Sequence, residues 1–266
     1  HKASLLLFRK FDIYYKNNNI NNNSNNRREN EVINKIRKCI ISNTKKVILA
    51  NDMIKVASMD GINNLDDFLA LMNECLCLSP TYNENNCQKG SLNTVPLSNI
   101  LIQFFINTRS GLKLVMKPEF NSILAEYLNE YKKYMDSPLS IHSIYDKNNG
   151  WITNKNAYNL LKMHEYIIPK NGYKSYNEFF YRQIIPSKRP IDKDVGIITP
   201  SDGIVYCVDI NNIKSIYNNI VIKNQEYSLD MLLNNNKYYI NKFKNGTIIQ
   251  IFLTPLNYHR FHAPVS

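Results

Sequence analysis

A chain of 266 residues with 44% apolar side chains can bury a core, as one large domain or two modest ones, which excludes disorder throughout. Its formal net charge of +11 points either to a lysine-rich solvated surface or to attraction toward a polyanion. No dense Lys/Arg block with interleaved aromatics occurs, which argues against nucleic acid and leaves an anionic membrane face as the polyanion to consider.

In chain order, SLLLFRKF at 4–11 reads as a frayed helix or a surface anchor. NNNINNNSNN at 17–26 has almost no apolar surface to offset the entropy of ordering, so residues 1–30 are expected to form a disordered Asn-rich segment. From 31 to about 165 the pattern is helical. Leu65, Phe68, Leu69, Met72 and Leu76 follow the helical period, with Asn64 as cap and Asp66 and Asp67 in the first turn; Ser79-Pro80 is expected to end that helix. PEFNSILAEYLNEYKKYM at 118–135 is the clearest case. Pro118 fits the first turn, and Phe120, Ile123, Leu124, Tyr127, Leu128 and Tyr131 form one apolar stripe, with Lys132 and Lys133 at the C-terminal dipole. Ser175 and Glu178 predict a capping box for a helix over YNEFFYRQII.

After Pro186 the composition shifts. GIVYCVDI at 203–210, SIYNNIVI at 215–222 and GTIIQIFLT at 246–254 are rich in β-branched and aromatic residues and predict strands, with YSLDMLL at 227–233 as a short helix between them. The fold class read from this order is α+β: a helical N-terminal region followed by the start of a mostly antiparallel β domain. The apolar run ILIQFFI at 100–106 is far short of the roughly 20 residues that a membrane-spanning helix needs. The five cysteines are irregularly spaced, and Cys75 and Cys77 stand one residue apart on a predicted helix, a poor zinc arrangement. They are expected to be reduced and mostly buried, unlike a secreted disulfide scaffold.

Three stretches of the β part can carry chemistry: SDG at 201–203, KNQEYSL at 223–229 and YHRFH at 258–262. Asp202 lies in a turn composition, where its side chain either closes its own turn or is held at a strand mouth to orient a histidine. His259 and His262 share a face on a helix and point to opposite faces on a strand. A strand or strand end is expected here, because GTIIQIFLT lies just upstream. Two structural histidines, a metal pair and a catalytic pair are all open on these residues alone, although no third or fourth zinc ligand stands at recognisable spacing.

Taken in order, FFYRQIIPSKRPID, PSDG, KNQEYSLDMLL and NGTIIQIFLTPLNYHRFHAPVS resemble the ordered motifs of phosphatidylserine decarboxylases over about 175–266. The helical stretches NNLDDFLALMNECL and MKPEFNSILAEYLNEYKKYMDSP, with NGW at 149–151, are similar to the N-terminal domain of one branch of that family. That branch also contains soluble decarboxylases of free aromatic amino acids. The chain departs from the pattern at Asn224, where many members have glycine.

The resemblance implies a helical domain over 31–165 and a partial catalytic domain over 170–266. It also implies conversion of phosphatidylserine to phosphatidylethanolamine and carbon dioxide by pyruvoyl Schiff-base chemistry, with the pyruvoyl group made from a serine of the proenzyme itself. Family members carry that serine in a Gly-Ser-Ser/Thr-like motif downstream of Y-H-R-x-H. No such motif follows His262 here, so the chain is expected to be a fragment that is inactive by itself. By matching positions, His262 is the implied base for self-cleavage and Asp202 its orienting carboxylate. His259 is the candidate proton donor to the substrate carbon, and Tyr258 and Arg260 are candidate substrate contacts. The implied partners are a phospholipid membrane surface, the C-terminal pyruvoyl-bearing chain and a second copy as a homodimer, with no nucleic acid and no metal. The implied location is membrane-associated, or cytoplasmic if the substrate is a free amino acid. A non-catalytic module on the same fold and a metal hydrolase built on the two histidines are the other readings.

Overall fold

The computed structural model describes residues 30–43, 64–82, 105–106, 108–192, 196–209, 220–222, 225–243, 246–254 and 256–265. The Asn-rich segment, the 4–11 stretch and Asn224 lie outside the described residues. The chain divides into two compact units, residues 1–180 and 181–266.

The first unit is helical. Helix α1 (Glu31–Asn43) starts at Asn30, whose side-chain oxygen accepts the Val32 amide at 3.0 Å. Helix α2 (Leu65–Cys75) is capped as its sequence requires, by Asn64 accepting the Asp67 amide at 2.9 Å. It ends at Cys75, four residues before the expected Ser79-Pro80 stop, because the Leu76, Cys77 and Leu78 amides close tight turns onto Asn73, Glu74 and Cys75. Helix α3 (Arg109–Val115) is capped by Thr108, and helix α4 (Pro118–Asp136) begins on its proline. Ile33, Ile36, Leu69, Met72, Phe120 and Tyr127 interlock as the core of α1, α2 and α4.

The stripe on α4 is right in outline and wrong at one position. Phe120 and Tyr127 are fully buried and Ile123, Leu124 and Tyr131 pack partly against the core, but Leu128 is exposed. With 3.6 residues per turn, a six-residue stripe is wider than the face that α1 and α2 cover. Two tyrosines carry polar handles into this core: Tyr127 Oη donates to the Met72 carbonyl at 2.7 Å and Tyr131 Oη to the Leu78 carbonyl at 3.0 Å. Burial pushes both phenols above the usual tyrosine range. Cys39 and Cys75 are buried, while Cys77 is half-buried.

The rest of this unit comprises α5 (His142–Tyr145), α6 (Lys155–Leu160) and α7 (Tyr176–Phe180). Trp151 is buried with its indole N–H on the Pro80 carbonyl at 2.9 Å. Ser140 is a buried hub: its hydroxyl reaches the Ser137 carbonyl at 2.8 Å and accepts the Tyr176 amide at 2.8 Å, fixing the start of α7. Half of the expected capping box forms there. Ser175 Oγ accepts the Glu178 amide at 3.1 Å, but the Glu178 carboxylate takes the Lys174 amide at 2.5 Å instead of that of Ser175. Helix α7 is five residues long, so the second half of the helix expected over YNEFFYRQII is absent after Phe180.

The second unit carries strands β1 (Ile204–Asp209), β2 (Ile220–Ile222), β3 (Gln225–Tyr227) and β4 (Thr247–Phe252), with α8 (Leu229–Leu232) and α9 (Lys237–Phe243) between β3 and β4. β1 pairs antiparallel with β4, Ile204 opposite Phe252 through Asp209 opposite Thr247, and β2 pairs antiparallel with β3. Strand β3 and helix α9 carry no expectation from the sequence. KYYINKF is aromatic-rich, and its helix is set locally by Asn236, whose side chain accepts the Tyr238 amide at 3.1 Å. Among the residues of this unit whose side chains are described, no apolar side chain is buried. The fold is α+β, with the helices first and an antiparallel β region after them.

Candidate active site

The Asp202 turn is built by its neighbours. Gly203 takes φ +155°, and a Cβ there would sit 2.7 Å from both Ile251 Cγ2 and the Phe252 carbonyl oxygen. Only glycine lets the chain run so close to β4 directly after Asp202, and this fixes where the carboxylate emerges. A short 3₁₀ turn at Pro186–Lys188 presents Arg189 to that carboxylate. Arg189 Nε donates to Oδ1 at 2.9 Å and lies 3.2 Å from Oδ2, while Nη2 donates to Oδ2 at 2.7 Å. The pair is a two-pronged, charge-assisted bridge with side chains 37% and 25% exposed.

The histidine segment leaves β4 at the same end, beyond Phe252, which pairs with Ile204. Asn257 Oδ1 accepts from the Thr254 amide at 2.7 Å and from its hydroxyl at 2.8 Å, while the Asn257 amide donates to the Thr254 carbonyl at 3.0 Å. This turn leads the chain into YHRFH. His262 N–H then donates to the Pro200 carbonyl at 3.0 Å and Ile198 N–H to the Pro264 carbonyl at 2.9 Å. The spacing is that of an antiparallel pair with residue 198 opposite 264 and 200 opposite 262. Each such pair would normally exchange two bonds, but Pro200 and Pro264 have no N–H to return, so a half-made ladder without regular strand character results.

His262 is thereby tied by its backbone opposite Pro200, two positions before Asp202 in the chain. YHRFH itself has no regular secondary structure, and within it only His262 joins the pairing with Pro200. His262 is exposed, while Tyr258 and His259 are half-buried. Arg260 is engaged locally: its Nε donates to the Tyr181 carbonyl at 2.8 Å, and its guanidinium carbon stands 5.8 Å from the centre of the Tyr181 ring. The residue that sequence reasoning passed over is Arg189. It was in view within SKRPID, but nothing in a linear string says which acid an arginine will meet. Among the described residues, no group of three or more His, Cys, Asp and Glu side chains is placed to hold a metal ion.

Chemically, the arrangement holds the Asp202 carboxylate on Arg189 and displays an imidazole on the segment paired with Ile198 and Pro200. A carboxylate has about four lone-pair directions, and two Arg189 nitrogens leave room for an imidazole N–H. Such a group can hold a histidine in one tautomer, which makes the opposite ring nitrogen a proton acceptor for an incoming hydroxyl.

Two family models of phosphatidylserine decarboxylase match the chain, one over residues 30–160 and one over residues 176–266. Similar proteins include decarboxylase iboD of Amanita muscaria, 29% identical over 63% of this chain and 51% of its own length. The phosphatidylserine decarboxylase proenzyme of Clostridium novyi is 36% identical over 57% of this chain and 45% of its own length. That of Fusobacterium nucleatum is 35% identical over 40% of this chain and 34% of its own length. The chain thus spans about half the length, or less, of these curated relatives.

Proposed function

From a chain that belongs to the phosphatidylserine decarboxylase family, we propose that it is the helical and first catalytic part of a proenzyme that converts phosphatidylserine to phosphatidylethanolamine and carbon dioxide. The observation that carries this reading is the family match over residues 30–160 and 176–266, which is supported by Asp202 being bridged by Arg189 and by the His262 amide being tied to the Pro200 carbonyl. Residues 1–266 contain no Gly-Ser-Ser or Gly-Ser-Thr, so the serine that yields the pyruvoyl group would come from other sequence in the proenzyme. Exposure of the His262 ring fits that role, since an incoming hydroxyl can reach it.

When present, a pyruvoyl carbonyl supplies an electron sink for the pair released as the carbon–carboxylate bond breaks. The residues of this chain do the proton work and the holding. His262 takes the serine hydroxyl proton during self-cleavage, and Asp202 holds the imidazole in the accepting tautomer. His259 returns a proton to the substrate α-carbon after carbon dioxide leaves. Tyr258 and Arg260 contact the substrate head group, with Arg260 steadied by Tyr181. The enzyme works at a phospholipid surface, and a homodimer is a further expectation. A second reading, favoured by similarity to a relative whose name gives no lipid, is decarboxylation of a free aromatic amino acid by the same groups.

The test is expression of the complete proenzyme, with self-cleavage followed on a denaturing gel and carbon dioxide release followed from phosphatidylserine vesicles and from tryptophan. The wild type cleaves itself and decarboxylates the lipid, His262→Ala stays uncleaved, and residues 1–266 alone release no carbon dioxide from either. Normal processing of His262→Ala removes that residue from the base role. Turnover of tryptophan alone transfers the assignment to the second reading, and turnover by residues 1–266 alone overturns the pyruvoyl mechanism.

A further inference from the structure

A carboxylate that orients an imidazole needs its plane fixed and one lone-pair direction left open. An aspartate in a turn secures neither by itself, because its side chain keeps its rotational freedom until something orders it. Arg189 supplies both at Asp202. Its Nε–Nη2 edge lies along the two oxygens, with Nε 2.9 Å from Oδ1 and 3.2 Å from Oδ2, and Nη2 2.7 Å from Oδ2. Two donors in one rigid plane set the direction and tilt of a carboxylate, whereas a single ammonium acts as a point charge.

The arginine is itself held. Its Nη1 donates to the Lys188 carbonyl at 2.8 Å, which leaves the Nε–Nη2 edge for Asp202. Its backbone stands on a closed turn, Lys188 N–H donating to the Ile185 carbonyl at 2.8 Å and Arg189 N–H to the Pro186 carbonyl at 3.2 Å. Arg189 then takes φ −135°, outside the helical region, as suits the residue before Pro190. At the other end of the bridge, the contact of Gly203 with β4 fixes where the Asp202 side chain emerges. Ion pairs of the helical unit differ in kind: Lys132 with Asp136 and Lys35 with Glu126 set one ammonium on a carboxylate side chain 41% and 47% exposed, against 25% for Asp202. Those are surface pairs of small effect, and the Arg189 fork is a built holder.

We propose that Arg189 is a positioning residue for self-cleavage, its guanidinium fork holding the Asp202 carboxylate in the one plane from which it can orient the base. The proposal rests on the reading of Asp202 as the orienting carboxylate and deepens it. Arg189 touches no reacting atom and acts only through Asp202, so its effect on cleavage vanishes when that carboxylate is removed.

The experiment times self-cleavage of the complete proenzyme on a denaturing gel for the wild type, Arg189→Ala, Arg189→Lys, Asp202→Asn and Arg189→Ala/Asp202→Asn, with folding checked by circular dichroism. Arg189→Ala slows cleavage about tenfold or more, the cost of a misdirected group. Added ethylguanidinium, which restores the fork, recovers about threefold or more of that rate, and propylammonium of the same charge recovers none. Arg189→Lys stays slow, and ethylguanidinium has no effect on the double variant. Cleavage of Arg189→Ala at the wild-type rate while Asp202→Asn is slow overturns the inference and leaves the Asp202 reading in place. Recovery by both cations alike, by neither, or in the double variant also overturns it, since each makes the bridge merely structural. Normal cleavage of Asp202→Asn removes Asp202 from the cleavage machinery, and the role of Arg189 falls with it. If Arg189→Ala does not fold, Arg189→Lys decides: a slow rate in a folded chain upholds the fork, and a wild-type rate overturns it.

Discussion

Replacing Arg189 tests whether the candidate site is organised as its geometry states. The bridge to Asp202 uses two nitrogens and both carboxylate oxygens, all within 3.2 Å, with side chains 37% and 25% exposed. Two unit charges about 4 Å apart attract by about 4 kcal/mol at an effective dielectric near 20. Partial desolvation and the ordering of a long side chain cancel much of that. Exposed pairs end near 0.2–1 kcal/mol and removal of one partner from a buried pair costs about 3–5 kcal/mol. This half-exposed, two-pronged pair should fall between, with a coupling of about 1.5 kcal/mol, equivalent to about tenfold in a local opening equilibrium. A double-mutant cycle of Arg189→Met, Asp202→Asn and the double variant isolates that coupling from the other contacts of Arg189. The readout is hydrogen exchange of β1, which begins two residues after Asp202. Arg189→Met should raise β1 exchange about tenfold, and in the Asp202→Asn background the same change should have little further effect. A coupling below about 0.3 kcal/mol would show that the bridge does not organise the turn and would sink the reasoning.

Gly203→Ala places a Cβ 2.7 Å from Ile251 Cγ2 and the Phe252 carbonyl at a left-handed φ, so β1 and β4 should separate. Limited proteolysis cutting within 199–209 much faster than in wild type is expected, and unchanged resistance would contradict the close approach. Ser140→Ala leaves the buried Tyr176 amide without its 2.8 Å acceptor and removes one of the two donors to the Ser137 carbonyl. A loss of about 2 kcal/mol in urea unfolding, read from the fluorescence of buried Trp151, is expected. Burial, with the nearby Glu74 carboxylate, pushes the Cys75 thiol well above the usual range. At pH 8 the thiolate should therefore be scarce, and peptide mapping after brief treatment with a thiol reagent should find Cys77 labelled before Cys75 or Cys39.

Much of the helical unit was legible because its signals are local. The Asn64 cap, the Pro118 start and the buried Phe120 and Tyr127 each depend on residues within a turn or two of themselves. Leu128 failed for a reason outside its helix: hydrophobic periodicity marks the apolar face, while the width of the covered strip is set by the neighbouring helices. The helix expected beyond Phe180 failed in the same way, since a good local start at Ser175 says nothing of where packing ceases to support the helix. Helix α9 escaped notice because its aromatic residues read as β-formers, whereas its Asn236 cap and outward rings suit a short surface helix.

The sequence by itself determined the order of the elements, the turn at Pro200–Gly203 and the residue types that can do proton chemistry, since each is written in short-range spacing. Tertiary structure decided who meets whom. It put Arg189 on Asp202 across 13 residues, Arg260 on Tyr181 across 79, and β1 in register with β4 so that only a glycine fits at 203. Partners so far apart in the chain are chosen when strands close on one another, because register is fixed by the whole set of pairings and by which backbone groups can return a hydrogen bond. No local pattern at Pro200 or Pro264 announces that their missing N–H groups would leave His262 held to Pro200 by one backbone bond.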